Sequence, residues 1–368
     1  MPCWIPDRKR RNYIAFQNGI LDLDAVFQEK QYSEAFMDHS PNWFSAFRLD
    51  YKFDHEASCP KWLTFLDEAM ENDDDRIDLL QEWAGYLLTN KNDFQKFIVL
   101  EGEGKNGKTV FFAGMTAMLG EDNVSHVAME NFGGRFDLGV TLGKAANISG
   151  DVGEIDNMAE GILKQFTGGD TMQFDRKNLI PVQARPTAKL MAAWNQRPRI
   201  KDRSAGLWRR MLLVPFRYSV KEENRIYGMD QPEWWSGESA GIFMWALAGL
   251  YRLKTNKRFT KCQVSQDALD EYKLDSNPTA EFFKDNLEPN TDAQIDAKHL
   301  FKLYQLWCKE SNCRPLGSRQ FGKEVKRSFP KASRTRRTHL GSRGYFYHGI
   351  CYQSTQIAGQ SVDPETAF

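Results

Sequence analysis

The stretch Gly102-Glu103-Gly104-Lys105-Asn106-Gly107-Lys108-Thr109 fits G-x-x-x-x-G-K-[ST], the pattern of a loop that cradles phosphates. It constrains the fold because such a loop works only between a buried strand and a helix. The flanks comply. Phe97-Ile98-Val99-Leu100 is apolar and partly β-branched, as a buried parallel strand would be, and the run from Val110 to Leu119 reads as a helix. In that setting backbone N–H groups of the loop and the first helical turn, Gly102 through Val110, converge on an anion. Lys108 is expected to reach the β- and γ-phosphates, and the Thr109 hydroxyl to ligate Mg²⁺. The expected ligands are a nucleoside triphosphate, which the chain is expected to hydrolyse, and Mg²⁺.

Composition sets outer limits. A chain of 368 residues can hold two or three domains. Its 49 Lys and Arg balance 49 Asp and Glu, so it is not basic throughout, and any basic surface must be local. Cys3, Cys59, Cys262, Cys308, Cys313 and Cys351 form no C-x-x-C pair, which argues against a zinc site or a disulfide framework and for reduced thiols. No apolar run is long enough to cross a membrane, and the first dozen residues are polar and basic rather than a signal peptide. The expected location is cytoplasmic.

The chain divides into blocks. Residues 1–92 read as a mostly helical accessory domain. Asn18-Gly19-Ile20-Leu21-Asp22 is a turn feeding a short strand, Pro60 opens a helix, and Ile77, Leu80, Trp83, Ala84 and Leu87 form a helical stripe. Residues 93–255 alternate short apolar strands with helices, the pattern of an α/β domain with a largely parallel sheet. Residues 256–276 read as a linker helix. In residues 277–352, three helical patterns precede two strand-like pieces, an order that fits a winged helix. From Arg314 to Ile350 this block carries about ten Lys and Arg against one acid, Glu324, which matches a nucleic-acid footprint or a solvated basic face. Residues 353–368 read as a polar tail.

A phosphate loop needs an acid for the metal and a group that orients water. Asn147-Ile148-Ser149-Gly150-Asp151 reads as a short strand ending in a carboxylate, with Glu154 three residues on. Thr171 to Val182 reads as a hairpin with Asp175-Arg176-Lys177-Asn178 at its tip, where the two cations can touch phosphates or keep the tip soluble. A further strand, Lys189 to Trp194, ends at Asn195, whose amide can hold water beside a γ-phosphate. Arg209 and Arg210 stand just before the apolar strand Met211 to Phe216. An arginine reaching a neighbour's γ-phosphate stabilises transition-state charge.

Taken in order, these motifs resemble those of superfamily 3 helicases of the phage and plasmid primase–helicase group, which also includes the poxvirus primase–helicase. The matching pieces are the loop at 102–109, Asn-Ile-Ser-Gly-Asp at 147–151, Lys-Gln-Phe-Thr-Gly-Gly-Asp at 164–170, Trp-Asn at 194–195 and Trp-Arg-Arg at 208–210. The resemblance is densest from 97 to 217 and thinner elsewhere. It implies an AAA+-like P-loop ATPase core with an N-terminal helical domain and a C-terminal winged-helix-like domain. It also implies a homo-oligomeric ring, usually a hexamer, that moves 3′→5′ on single-stranded DNA and unwinds the duplex ahead. On this mapping Lys108 and Thr109 bind phosphate and Mg²⁺, Asp151 is the acid on the metal side and Asn195 the sensor. Arg209 or Arg210 is the finger from the next subunit, and Lys177 with Arg176 grips DNA. Gly150 and Val152 flank Asp151 where relatives often carry paired acids, so the water-activating group is either Asp151 or Glu154. Relatives often carry a primase or primase–polymerase domain in front. The roughly one hundred residues before the loop are too few for one, which leaves priming to a separate chain or to a longer protein.

Two other classes compete. A P-loop kinase for a small molecule would need neither the arginine pair nor the basic C-terminal block. A nucleotide-switched origin-binding or loader protein would keep both and hydrolyse little.

Overall fold

The computed structural model describes residues 12–41, 47–134, 136–151, 160–198, 205–311, 313, 315–339 and 342–353. It divides into two compact units, Met1–Asp270 and Glu271–Phe368.

The first unit opens with β1 (Tyr13–Phe16) and β2 (Gly19–Asp22), joined by the Asn18 turn, then α1 (Leu23–Phe27), α2 (Tyr32–Ala35) and β3 (Phe36–Met37). The three strands form one antiparallel sheet in the order β1-β2-β3. Helices α3 (Pro60–Ala69) and α4 (Asp74–Leu87) follow. Pro60 occupies the first turn of α3, and Asp73 caps α4 by accepting from the Arg76 N–H.

The central sheet comprises β4 (Phe97–Glu101), β5 (Val124–Ser125), β6 (Ala146–Asp151), β9 (Lys189–Trp194) and β10 (Met211–Pro215). All neighbours are parallel, and the order is β10-β4-β9-β6-β5. Phe97 to Leu100 are fully buried, because helices cover both faces of a parallel sheet. Helix α5 (Lys108–Leu119) leaves the loop after β4. Between β6 and β9 lie α6 (Glu160–Gly168) and an antiparallel hairpin of β7 (Met172–Arg176) and β8 (Leu179–Ala184). After β9 come α7 (Ala205–Trp208), β10, α8 (Pro232–Trp235), α9 (Ser239–Asn256) and α10 (Gln263–Asp275).

The N-terminal block and the sheet share one core, so no seam falls at residues 92–93. Trp62 of α3 packs so tightly on α5 that a Cβ added at Gly114 would lie 2.2 Å from its ring. Trp62 also meets Phe111 of α5 and Trp245 of α9, with ring centroids 5.6 and 5.7 Å apart. The Arg76 guanidinium, 4% exposed, donates to the carbonyls of Met70 and Pro215, which fastens α4 to the end of β10. Helices α3 and α4 are therefore built into the same body as the parallel sheet, with a small antiparallel sheet beside them.

The second unit runs α11 (Pro278–Asn286), β11 (Leu287–Asp296), α12 (Ala297–Glu310), α13 (Ser318–Ser328), β12 (Ser333–His339) and β13 (Ser342–Tyr352). The sheet is antiparallel in the order β11-β13-β12. Its core is aromatic: Tyr304 of α12 stacks on Phe321 of α13 at 4.6 Å, and Phe282 and Phe283 of α11 close over them. The three expected helices are present. β11 is an additional strand between the first two.

Candidate functional site

Residues 102–107 connect the carboxyl end of β4 to the amino end of α5. Ligands of open α/β sheets bind outside such strand ends, where neighbouring connections diverge. Here β4 lies between β9 and β10, which the chain reaches only later. The loop is wound by backbone conformations that favour glycine. Gly104 has φ +109° and Gly107, the residue before the helix, has φ +90°. Gly102 is required for another reason, since a Cβ there would lie 1.8 Å from Asn106 Nδ2 and 2.4 Å from the Phe216 carbonyl.

The Lys108 ammonium, 6% exposed over its whole side chain, donates to Gly102 O at 2.7 Å, Asn106 Oδ1 at 2.9 Å and Asn195 Oδ1 at 3.0 Å. Asn106 is itself fixed by donating to Phe216 O at 2.9 Å, just beyond β10. Neutral oxygens of Gly102, Asn106 and Asn195 are thus among the partners of a buried cation near the start of a helix. Phosphate oxygens can replace them there with a stronger, charge-assisted bond. Thr109 and Glu103 are exposed, so the threonine hydroxyl is accessible to a hard cation. Among the described residues no three His, Cys, Asp or Glu side chains gather as a metal site. Mg²⁺ is commonly held by one or two protein oxygens and substrate phosphates, a set that the exposed Thr109 can join.

Asp151 closes β6 with its Cα in register with Ala193 of β9, so its backbone lies at the same carboxyl edge as Asn195. Glu154 lies outside the described residues. The structure therefore brings Lys108 and Asn195 together and places the Asp151 backbone on the edge they share.

Arg209 and Arg210 lie at the opposite edge. They precede Met211, which pairs with Phe97, the first residue of β4. A five-residue strand separates them from the loop of their own chain by about 16 Å. The two also differ. Arg210 is 9% exposed and donates from Nη1 to Gly206 O at 2.8 Å. Burial lowers its pKa, and the neighbouring Arg209 lowers it further against the pull of Asp170. Arg209 is exposed. Around them stand Lys96, which donates to the Arg209 carbonyl, and Lys164. Burial lowers both lysine pKa values, with a second contribution from Arg209 on Lys96 and Arg210 on Lys164.

The hairpin turns on Lys177 and Asn178, with Asn178 at φ +59° and Arg176 opposite Leu179. Arg176 folds back, donating from Nη2 to Ile180 O at 2.8 Å, whereas Lys177 is exposed at the turn. Leu179 and Ile180 beside it are 61% and 83% exposed.

In the second unit Phe321, Glu324 and Val325 of α13 face inward. Arg319, Lys323, Lys326 and Arg327 face outward. On the β12–β13 hairpin, Arg334 lies 4.3 Å and Arg336 5.9 Å from the ring of Tyr345, a cation–aromatic ladder on an exposed face.

Fold and loop together define an α/β protein with a P-loop-like core. Residues 100–210 match a model described as "Family of unknown function (DUF5906)", and residues 276–354 match one described as "RFX DNA-binding domain". The chain is similar to the protein named "Putative helicase L207/L206" of Acanthamoeba polyphaga mimivirus, at 24% identity over 226 residues. That alignment spans 58% of this chain and about a quarter (23%) of the length of that curated relative. Two solved structures titled as apo forms of the NrS-1 C terminal region align at a TM-score of 0.49. One has 13% identity over 82% of this chain and 80% of the other, and the second has 13% over 92% and 95%. Among the described residues no helix is long and apolar enough to cross a membrane.

Proposed function

We propose that the chain is an ATP-driven DNA helicase motor of the superfamily 3 type. ATP occupies the 102–109 loop of one subunit, and Arg209 of the next subunit in a ring completes the site. The observation that carries this reading is the Lys108 ammonium held by Gly102, Asn106 and Asn195 at the carboxyl edge of the sheet. Mg²⁺ at Thr109 would neutralise charge on the bridging phosphates. Asn195 would hold water beside the γ-phosphate, and Asp151 or Glu154 would accept its proton. The arginines' place at the far edge of their own sheet supports action on a neighbour rather than on their own nucleotide. Exposed Lys177 supports a DNA-tracking hairpin. The basic helix and ladder of the second unit, which reads as a winged helix, support duplex contact there, as does its match to a DNA-binding model. The helicase name of the viral relative points the same way.

Strand displacement on forks with 3′ or 5′ single-stranded tails tests this directly, alongside mass measurement with and without ATP and DNA. Unwinding that requires a 3′ tail, ATP and a ring-sized assembly is expected. ATP and DNA binding without displacement would instead favour the nucleotide-switched loader, the second reading that the separate basic unit permits.

A further inference from the structure

Glu101 is the last residue of β4 and directly precedes Gly102. Its carboxylate is gripped in a fork by Arg197, with Nε to Oε1 at 2.6 Å and Nη2 to Oε2 at 3.1 Å. The two side chains are 21% and 16% exposed, so solvent screens the pair little. The topology explains the meeting. Glu101 pairs in register with Trp194 of β9, and three residues beyond Trp194 the chain returns Arg197 to it. The same short exit carries Asn195, whose Oδ1 accepts from Lys108. The exit of β9 therefore touches the phosphate loop at both ends, at the residue before its first glycine and at its lysine.

A carboxylate in that position is otherwise a liability. The loop exists to receive a polyanion, and an unpaired negative charge at its neck, largely out of water, repels it. We propose that Arg197 is a positioning residue for the phosphate site. It neutralises Glu101 and holds that carboxylate aside, so that the loop accepts a triphosphate. This rests on the nucleotide reading given above.

The inference is tested on the full chain by measuring affinities for ATP and ADP at low and high salt. Arg197→Gln, Glu101→Gln, their double variant, Arg197→Lys and Lys108→Ala are compared with wild type, with melting temperature recorded for each. Arg197→Gln is expected to weaken ATP about tenfold at low salt, ADP less, and both by less as salt rises. Adding Glu101→Gln is expected to return ATP binding to within about threefold of wild type, because the harm lies in the unpaired charge. Arg197→Lys, which keeps the charge, should fall between. Unaltered ATP affinity in Arg197→Gln overturns the proposal. So does an equal loss for ATP and ADP that Glu101→Gln fails to repair, since a merely architectural arginine would behave that way. Failure of the nucleotide reading looks different: the wild type binds no nucleotide, or Lys108→Ala binds it as well as wild type.

Discussion

The Lys108 ammonium donates to the Asn195 side-chain oxygen at 3.0 Å, across 87 residues of sequence. That bond joins the glycine loop to the exit of β9, and on the proposed function it gives the two residues separable roles. Lys108→Ala is expected to abolish ATP hydrolysis. Asn195→Ala is expected to lower kcat by about 100-fold, the scale for one preorganised polar group, while ATP affinity changes by much less. Steady-state hydrolysis beside equilibrium nucleotide binding checks both, and normal turnover in the lysine variant would remove the loop from the reaction.

The arginine pair divides by environment. Arg209→Ala is expected to leave folding and ATP binding intact while lowering kcat by about 1,000-fold, as loss of a finger does. Arg210→Ala is expected to destabilise the protein by about 2 kcal/mol, because it removes a buried charged donor from Gly206. Denaturation midpoints separate the two outcomes. Mixing Lys108→Ala and Arg209→Ala chains should restore hydrolysis at interfaces that pair an intact loop with an intact arginine. No recovery from mixed assemblies of confirmed composition would count against a shared site.

At the hairpin, Arg176 is committed to Ile180 and Lys177 is not. Lys177→Ala is therefore expected to preserve ATPase activity and abolish strand separation, whereas Arg176→Ala should weaken the hairpin itself. A fork assay run with simultaneous phosphate release reads both quantities, and undiminished unwinding in Lys177→Ala would take the tip out of the mechanism.

These roles were unequally legible in the sequence. Local pattern sufficed for β4, α5, β9 and the β7–β8 hairpin, because buried strands, glycine loops and turns leave short-range signatures. The seating of Lys108 on Asn195 depends on β9 lying beside β4, a sheet order that no local pattern specifies. The Glu101–Arg197 fork spans 96 residues, and nothing near either residue marks it. β11 leaves no strand signature because Leu287-Glu288-Pro289-Asn290-Thr291-Asp292 is polar and contains Pro, and its register breaks between Asn290 and Gln294. Only Leu287 and Ile295 are buried along the strand. The apparent seam at residue 92 reflected a change from helical to alternating pattern, whereas Trp62 and Arg76 tie the two blocks into one core.

Lys189 offers a pH signature at the other end of β9. Its ammonium donates to the carbonyls of Thr89 and Thr187 at 2.7 and 2.8 Å and sits 4.9 Å from the Tyr86 ring. Burial nonetheless outweighs these contacts and the nearby Asp93, lowering its pKa to about 7. The unfolded chain then binds more protons than the folded one between about pH 7 and the ordinary lysine value. This residue's penalty is full below about pH 7 and is relieved as pH rises, by at most about 1.4 kcal/mol per pH unit. Wild type should therefore gain stability relative to Lys189→Met between pH 7 and 9. Parallel pH series of denaturant midpoints check this, and parallel curves would show that Lys189 stays charged.

The ladder on the second unit makes the final prediction. Arg334 and Arg336 flank Tyr345 on an exposed strand face, where a guanidinium held against a ring is pre-oriented toward phosphate. Counterion release ties each phosphate contact to the salt dependence of binding, at about 0.9 in the slope of log K against log salt for duplex DNA. Arg334→Ala and Arg336→Ala in the full chain should each reduce that slope by about 1 and weaken binding across unrelated sequences alike. Tyr345→Ala should weaken binding with little change of slope, because it removes the support and no charge. Slopes that remain at the wild-type value in both arginine variants would assign the ladder to folding of the hairpin and leave the outward cations of α13 to carry the contact.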